Sequence, residues 1–183
     1  MDKKRCIRVL AISGSLRRGS SNTALAEAAA RLAPDTVDVS IYRALAELPA
    51  FNPDLDDDRV PAPVGELRAQ LQNCDAVLIS SPEYAHGVPG ALKNALDWVV
   101  GSGELVDKPV ALINASARAT HAWTSLRDTM RVMSARVIAA ASITVPLDGK
   151  GLDADGIIRD AELSTALRCS LETLALATER THS

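Results

Sequence analysis

An α/β three-layer sandwich around a parallel sheet is the fold class this sequence predicts, and three observations carry it. Apolar, β-branched runs alternate with helical patterns along the chain, five of each. Two of the runs, AVLISS at 76–81 and PVALINAS at 109–116, stay apolar over several consecutive residues, as a strand covered on both faces must. The chain has 183 residues, 47% of them apolar, with no internal repeat and no linker. That suits one domain, residues 1–183, with one substantial core.

The elements follow in order. The first strand is expected at 6–12. NTALAEAAARLA at 22–33 is rich in alanine and other good helix formers, and Pro34 ends it. VDVSIYR at 37–43 alternates as a strand does. Residues 44–63 read as a long irregular connection with prolines and an acidic run, Asp54 to Asp58. No histidine accompanies those acids, so they read as a solvated surface loop rather than a metal site. A helix at 64–75 presents Val64, Leu67 and Leu71 on one face, the third strand is 76–81, and a helix spans 90–100. The fourth strand is 109–116, a helix spans 121–134, ARVIAAASITVPL at 135–147 forms a fifth strand, and an amphipathic helix at 159–178 closes the chain.

Bulk properties narrow the function. A net charge of −3 argues against nucleic acid and against an anionic membrane surface as partners. Cys6, Cys74 and Cys169 form neither a CxxC pair nor a zinc pattern, and read as buried, reduced thiols. The start, MDKKRCIRVLAISGS, has the basic end of a signal peptide, but its apolar part is short, carries Arg8 and lacks an A-x-A site. No run is long enough to span a bilayer. A cytoplasmic protein without a membrane partner and without a metal is expected.

In an open parallel sheet, ligands bind beyond the carboxyl ends of the strands. The segments to inspect are therefore 13–22, 81–89 and 114–120. The first, SGSLRRGSSN, leaves a buried strand and enters a helix, which makes it an anion site in waiting. Gly14 and Gly19 are five apart, so the dinucleotide pattern GxGxxG is missing. The same two glycines have P-loop spacing, but Ser20 stands where the lysine belongs, and no nucleophilic cysteine makes it a phosphatase loop. Hydroxyls of Ser15, Ser20, Ser21 and Thr23, the Asn22 amide and the Arg17 guanidinium suit a single dianionic phosphate. Each charge-assisted bond contributes ~1.5–3 kcal/mol. A plain polar turn with a capped helix would use the same residues.

The second segment, SPEYAHGVPGALKNALDW at 81–98, has Tyr84 at the strand's end and a tight turn shaped by Gly87, Pro89 and Gly90. Its backbone could offer N–H groups to a flat heteroaromatic ring; Tyr84 and His86 could also be loop filling. Taken together, GSLRRGSSN and SPEYAHGVPGALKNALDW resemble the NADPH-dependent FMN reductases, the flavodoxin-like group that includes quinone, chromate and azo reductases. The resemblance covers both motifs, their separation and the chain length. It implies a five-stranded parallel sheet in the order 2-1-3-4-5 and FMN as cofactor. Carried across, Ser15, Arg17, Ser20 and Asn22 would hold the phosphate with Ser21 and Thr23 near it. Pro82, Glu83 and Tyr84 would line the flavin ring, Ala85, His86 and Gly87 would continue that contact, and Ser116 would close the other side. Ala85 departs from the family's usual Asn, SARATH lacks the third loop's usual glycines, and Trp123 reads as core.

No triad, carboxylate pair or metal cluster is evident, and hydride chemistry needs none because the cofactor carries it. The expected reaction is a ping-pong hydride transfer from NADPH or NADH to a small-molecule acceptor: a quinone, a flavin, an azo compound or a metal oxyanion. A flavodoxin-type electron carrier without a substrate site is the rival, disfavoured by mild charge and 3% aromatics. A regulatory protein that has lost its flavin is a third reading. The resemblance also implies a homodimer or homotetramer, for which the helix at 90–100 is a candidate face, although it could equally be an intrachain core helix.

Overall fold

Successive strand residues feed two different cores, and that alternation builds the three layers. The computed structural model describes residues 5–57 and 59–180. The basic first four residues, Asp58 of the acidic run and residues 181–183 at the end of the expected domain lie outside the described residues. On β1 (Ile7–Ser13), Ile7, Val9 and Ala11 face one core while Leu10 and Ile12 face the other. On β3 (Ala76–Ser80) the split is Ala76 and Leu78 against Val77 and Ile79. On β4 (Pro109–Asn114) it is Ala111 and Ile113 against Val110 and Leu112. A strand buried on both sides cannot show polar alternation, which is why these runs read as continuously apolar.

The first core is covered by α1 (Ser21–Leu32), α5 (Ala154–Arg159) and α6 (Ala161–Glu179). Leu163, Leu167, Leu171 and Leu174 form the buried stripe of α6, each worth ~1.5–3 kcal/mol in burial. The second core is covered by α2 (Ala62–Asn73), α3 (Gly90–Val100) and α4 (Thr120–Val132). With β2 (Val37–Tyr42) at one edge and β5 (Arg136–Val137) beyond β4, the sheet runs β2-β1-β3-β4-β5, all pairs parallel, the expected 2-1-3-4-5 order. This is a flavodoxin-like fold.

The fifth strand is not one piece. Residues 135–147 give β5 (Arg136–Val137), a 3₁₀ turn at Ala139–Ala141 and β6 (Ile143–Thr144), both strands paired with β4. The cause is local. Ser142 Oγ accepts the Leu112 N–H (3.1 Å) and donates to Ile138 O (2.9 Å), so a side chain stands in for a ladder bond where the chain bulges. Ser170 Oγ of α6 donates to Ala141 O (2.6 Å) and holds the bulge down. The closing helix also differs from expectation. It begins at Ala161, where Asp160 Oδ1 accepts the N–H groups of Glu162 and Leu163 at 3.1 Å, and the short α5 precedes it.

The long connection before α2 is tied down by α3. Trp98 Nε1 (2.8 Å) and Asn94 Nδ2 (2.9 Å) donate to Pro49 O, Asn94 Oδ1 accepts the Phe51 N–H (2.8 Å), and the Phe51 and Trp98 rings meet edge to face at 5.0 Å. Within the acidic run, Asp56 accepts from Arg68 (2.6 Å) and Asp57 pairs with Arg59 (2.8 Å). Cys74 is buried, but Cys6 and Cys169 are exposed, a correction to the expectation that all three lie inside. Trp123 packs against the second core. Among the described residues, no helix is long and apolar enough to cross a membrane.

Candidate functional site

The three loops that leave β1, β3 and β4 at their carboxyl ends converge on one cavity of about 430 Å³. The first loop is held against the second by backbone. Gly14 N–H donates to Ser80 O (2.8 Å), and a Cβ on Gly14 would lie 2.8 Å from Ser81 Oγ and 3.0 Å from Leu92 Cδ2. Only glycine permits that approach. Gly19, at φ +63°, then turns the chain into α1. Ser20 caps the helix, its Oγ accepting the Asn22 N–H (3.2 Å), and the first in-helix backbone bond is Ala24 N–H to Ser20 O (2.9 Å). The N–H groups of Ser21 and Thr23 also precede that bond, and the positive end of the helix dipole lies here.

The side chains of this loop divide into holders and donors. Asn22 is buried, and its Oδ1 accepts from Ser80 Oγ (2.9 Å), which leaves its amide Nδ2 to donate. Thr23 Oγ1 is 3.0 Å from Ser13 Oγ and outside the cavity wall; it lines a neighbouring hollow of about 490 Å³. Ser15 Oγ accepts the Arg17 N–H (3.3 Å) and lies 3.4 Å from the Tyr84 hydroxyl, joining the first loop to the second. The Arg17 guanidinium is exposed and folds back to donate to Gly19 O (3.2 Å).

The second loop is a two-residue hairpin. Tyr84 and Gly87 exchange N–H···O bonds of 3.1 and 2.9 Å around Ala85 (φ 49°) and His86 (φ 61°), the signature of a type I′ turn. Asn suits the first of those positions and Ala does not. The departure at Ala85 therefore has a backbone consequence besides the missing side-chain bond. Glu83 Oε2 accepts the Ala122 N–H (2.9 Å) at the start of α4, and Oε1 lies 3.3 Å from His86 Nδ1. The Ala122 N–H, more than the partly opposing burial, holds the Glu83 carboxyl below its ordinary value, helped by the His121 N–H and the charges of both histidines.

The third loop is built on Asn114, whose Oδ1 accepts the Ser116 N–H (3.0 Å) and whose Nδ2 donates to Ala119 O (3.1 Å). Ser116 Oγ donates to Asp148 Oδ2 (2.8 Å), and the Arg118 guanidinium donates to Oδ1 (3.2 Å). The Ser116 hydroxyl first, then the Arg118 guanidinium, hold the Asp148 carboxyl below its usual range against a smaller burial effect.

Of the residues expected at the site, Ser15, Arg17, Ser20, Ser21, Asn22, Pro82, Glu83, Tyr84 and Ser116 line this cavity. Thr23, Ala85, His86 and Gly87 do not. His86 instead lines a separate, open groove of about 890 Å³ between α3 and α4. Sequence reasoning marked the segments that hold Ser81 and Asn114 without assigning either residue, and missed two further residues of the cavity wall, Asp148 and Gly149. The last two follow the broken fifth strand, and extending the carboxyl-end rule to that strand would have found them.

A family model described as NADPH-dependent FMN reductase matches residues 7–149, from β1 through the last wall residue of the cavity. The chain belongs to the NADPH-dependent FMN reductase family. An NAD(P)H-dependent FMN reductase of Pseudomonas aeruginosa is 31% identical over 95% of this chain and 96% of its own. A probable NADPH:quinone oxidoreductase of Oryza sativa subsp. japonica is 32% identical over 94% and 90%. Among solved structures, the flavoenzyme NAD(P)H:(acceptor) oxidoreductase of Paracoccus denitrificans superposes with a TM-score of 0.84 at 27% identity, covering 95% of this chain and 98% of that one. As a member of this family the chain is an oxidoreductase with FMN as cofactor and NAD(P)H as electron donor. The donor set fits an FMN reductase: three serine hydroxyls, one amide and one guanidinium gather at the α1 N-terminus, and the wall's two carboxylates, Glu83 and Asp148, are already engaged elsewhere.

Proposed function

We propose that the FMN phosphate is held by Ser15, Arg17, Ser20, Ser21 and Asn22, and that the ring lies between the second and third loops. The reaction is a ping-pong transfer in which NAD(P)H is oxidised and leaves before a quinone takes its place; free flavins, azo compounds and metal oxyanions are further acceptors. Bound FMN supplies the two-electron hydride chemistry, and the chain supplies position and charge. The observation that carries this reading is the single cavity whose one end collects phosphate donors and whose wall holds one aromatic residue, Tyr84, 53% exposed.

Each residue has a task in that scheme. Arg17 releases Gly19 O and turns its guanidinium to the phosphate; Asn22, fixed by Ser80, donates its amide. Ser15 links the phosphate end to Tyr84, so that anchoring at one end sets the ring-side wall at the other. Asp148 keeps Ser116 and Arg118 drawn across the third loop. An electron carrier would shield its flavin between aromatic plates, whereas a lone exposed tyrosine supports a face open to substrates. The quinone assignment also draws on the rice relative's name.

The reading extends to assembly and place. The α3–α4 groove is flanked by Val100 and Val132, 51% and 79% exposed, and a second copy packed there would form a homodimer or, paired again, a homotetramer. Three free cysteines without a disulfide support a cytoplasmic protein. Initial rates with NADPH and a benzoquinone test the mechanism: parallel double-reciprocal lines are expected, and intersecting lines would refute ping-pong turnover.

A further inference from the structure

The end of the cavity that collects the phosphate donors is not closed. Arg17, Ser20, Ser21, Leu147 and Gly149 line it and also line the neighbouring hollow of about 490 Å³, which lies between α1 and the loop running from β6 into α5. Small-ligand pockets occupy about 300–1,000 Å³, so this hollow has room for a ligand of its own. Its wall is open at Gly19, Gly149 and Gly151, where an added Cβ would meet nothing within 4 Å. The FMN placement proposed above leaves the space unused.

The chemistry of the hollow changes away from the shared residues. At the shared wall stand donors. The Arg17 guanidinium is one, and the buried Ser20 hydroxyl is another: its Oγ accepts the Asn22 N–H (3.2 Å) and, among the described residues, donates to no chain atom. The residues that belong to the hollow alone include two carboxylates, Glu27 and Asp153, and the apolar Ala24, Leu152 and Ala154. Glu27 lies six positions beyond Ser21, about 9 Å along the helix. Arg43 pairs with it at 3.4 Å, and Asp153 Oδ1 accepts the Gly156 N–H (2.8 Å). Anions thus belong at the shared wall, and the rest of the hollow suits a neutral group with hydroxyls to donate and a flat face to bury.

We propose that the hollow takes the adenosine half of FAD, so that this protein loads FAD as well as FMN. The proposal rests on the phosphate placement given above. FAD extends the FMN phosphate by a second phosphate, a ribose and an adenine. The pyrophosphate bridges the two spaces at the residues they share, where Arg17 and the α1 N-terminus supply positive charge. Glu27 and Asp153 accept the ribose hydroxyls, as acidic side chains do in nucleotide sites, and the adenine covers the apolar wall. A ribose carrying a 2′-phosphate would meet the same two carboxylates, so the hollow rejects the adenosine half of NADPH.

Isothermal titration calorimetry of the flavin-free protein with FMN, FAD and riboflavin tests this. FAD is expected to bind within about tenfold of FMN, and riboflavin at least about a hundredfold more weakly than either. Ala154→Trp sets an indole in the hollow and should weaken FAD at least about tenfold while leaving FMN within about twofold. Glu27→Trp, at a side chain 39% exposed, carries the same comparison should Ala154→Trp fold poorly. Absorbance after desalting reads the effect a second way: the parent retains FAD, and the folded variant retains FMN alone. FAD binding more than about tenfold weaker than FMN, or an FAD affinity that the folded variants leave unchanged, would overturn the proposal and leave the FMN site intact. Riboflavin binding as tightly as FMN would remove the phosphate placement and this proposal with it.

Discussion

Replacing Gly14 by alanine probes the closest approach in the site. The added Cβ would stand 2.8 Å from Ser81 Oγ, 3.0 Å from Leu92 Cδ2 and 3.2 Å from Ser81 Cβ, where ordinary contacts begin near 3.4 Å. Ser81 cannot simply rotate away, because its Oγ donates to Pro82 O (3.1 Å) and its N–H is bonded to Ile113 O (3.4 Å). Leu92 is fully buried in the second core. The strain must therefore be taken up by separating the first loop from the second. Overpacking of this kind costs about 1–3 kcal/mol, which in a chain of this size lowers Tm by roughly 2–12 °C. Because the same displacement moves Ser15 away from Tyr84, FMN affinity should fall together with stability. Thermal unfolding and FMN titration measure the two effects. Ser81→Gly removes two of the three close contacts, so the Gly14→Ala/Ser81→Gly double variant should recover most of the loss beyond additivity. If Gly14→Ala stays within about 0.5 kcal/mol of the parent and binds FMN equally well, the argument that the two loops must touch is wrong.

Other perturbations separate binding from folding. Arg17→Ala would remove one charge-assisted bond proposed to the phosphate and should weaken FMN binding about tenfold to a hundredfold in a fluorescence titration, with the FMN-free Tm unmoved because, among the described residues, the exposed guanidinium donates only to Gly19 O. Ala85→Gly relieves a left-handed backbone at φ 49° and should raise stability by about 1 kcal/mol in urea unfolding; a loss would contradict the type I′ assignment. Glu83→Gln should destabilise the protein at neutral pH. The folded Glu83 carboxyl lies below its unfolded value, so its contribution is present above the unfolded value and is lost as pH falls through the folded one. Stability curves of the parent and the variant should therefore converge in acid, and a constant gap down to pH ~3 would exclude the carboxylate as the helix cap.

Much of this architecture can be read from residue order because the two cores impose it. Runs such as AVLIS and PVALIN are legible as buried strands because both faces are covered, and α1, α3 and α6 are legible from composition and spacing. The broken fifth strand was not, since Ser142 replaces a ladder bond with a hydroxyl that no periodicity records. Within the site, the first loop is compact in sequence, so its cavity-lining residues from Ser15 to Asn22 are legible together. Asp148 is not, because it reaches Ser116 from 32 positions away, and the edge-to-face contact of His86 with His121 depends on how α4 meets a hairpin. Thr23 has its hydroxyl 3.0 Å from Ser13 Oγ and lines the neighbouring hollow together with Arg17, Ser20 and Ser21, a contact that residue order does not record.

The central claim is that the loop from Ser15 to Asn22 loads FMN and that NADPH reduces it there. The direct measurement is an absorbance spectrum of the protein after incubation with FMN and desalting, followed by anaerobic addition of NADPH and then NADH. Retained flavin bands that bleach on addition, and are largely absent from Arg17→Ala carried through the same desalting, are the predicted result. Bands retained equally by Arg17→Ala, or bands that neither nucleotide bleaches, would contradict it.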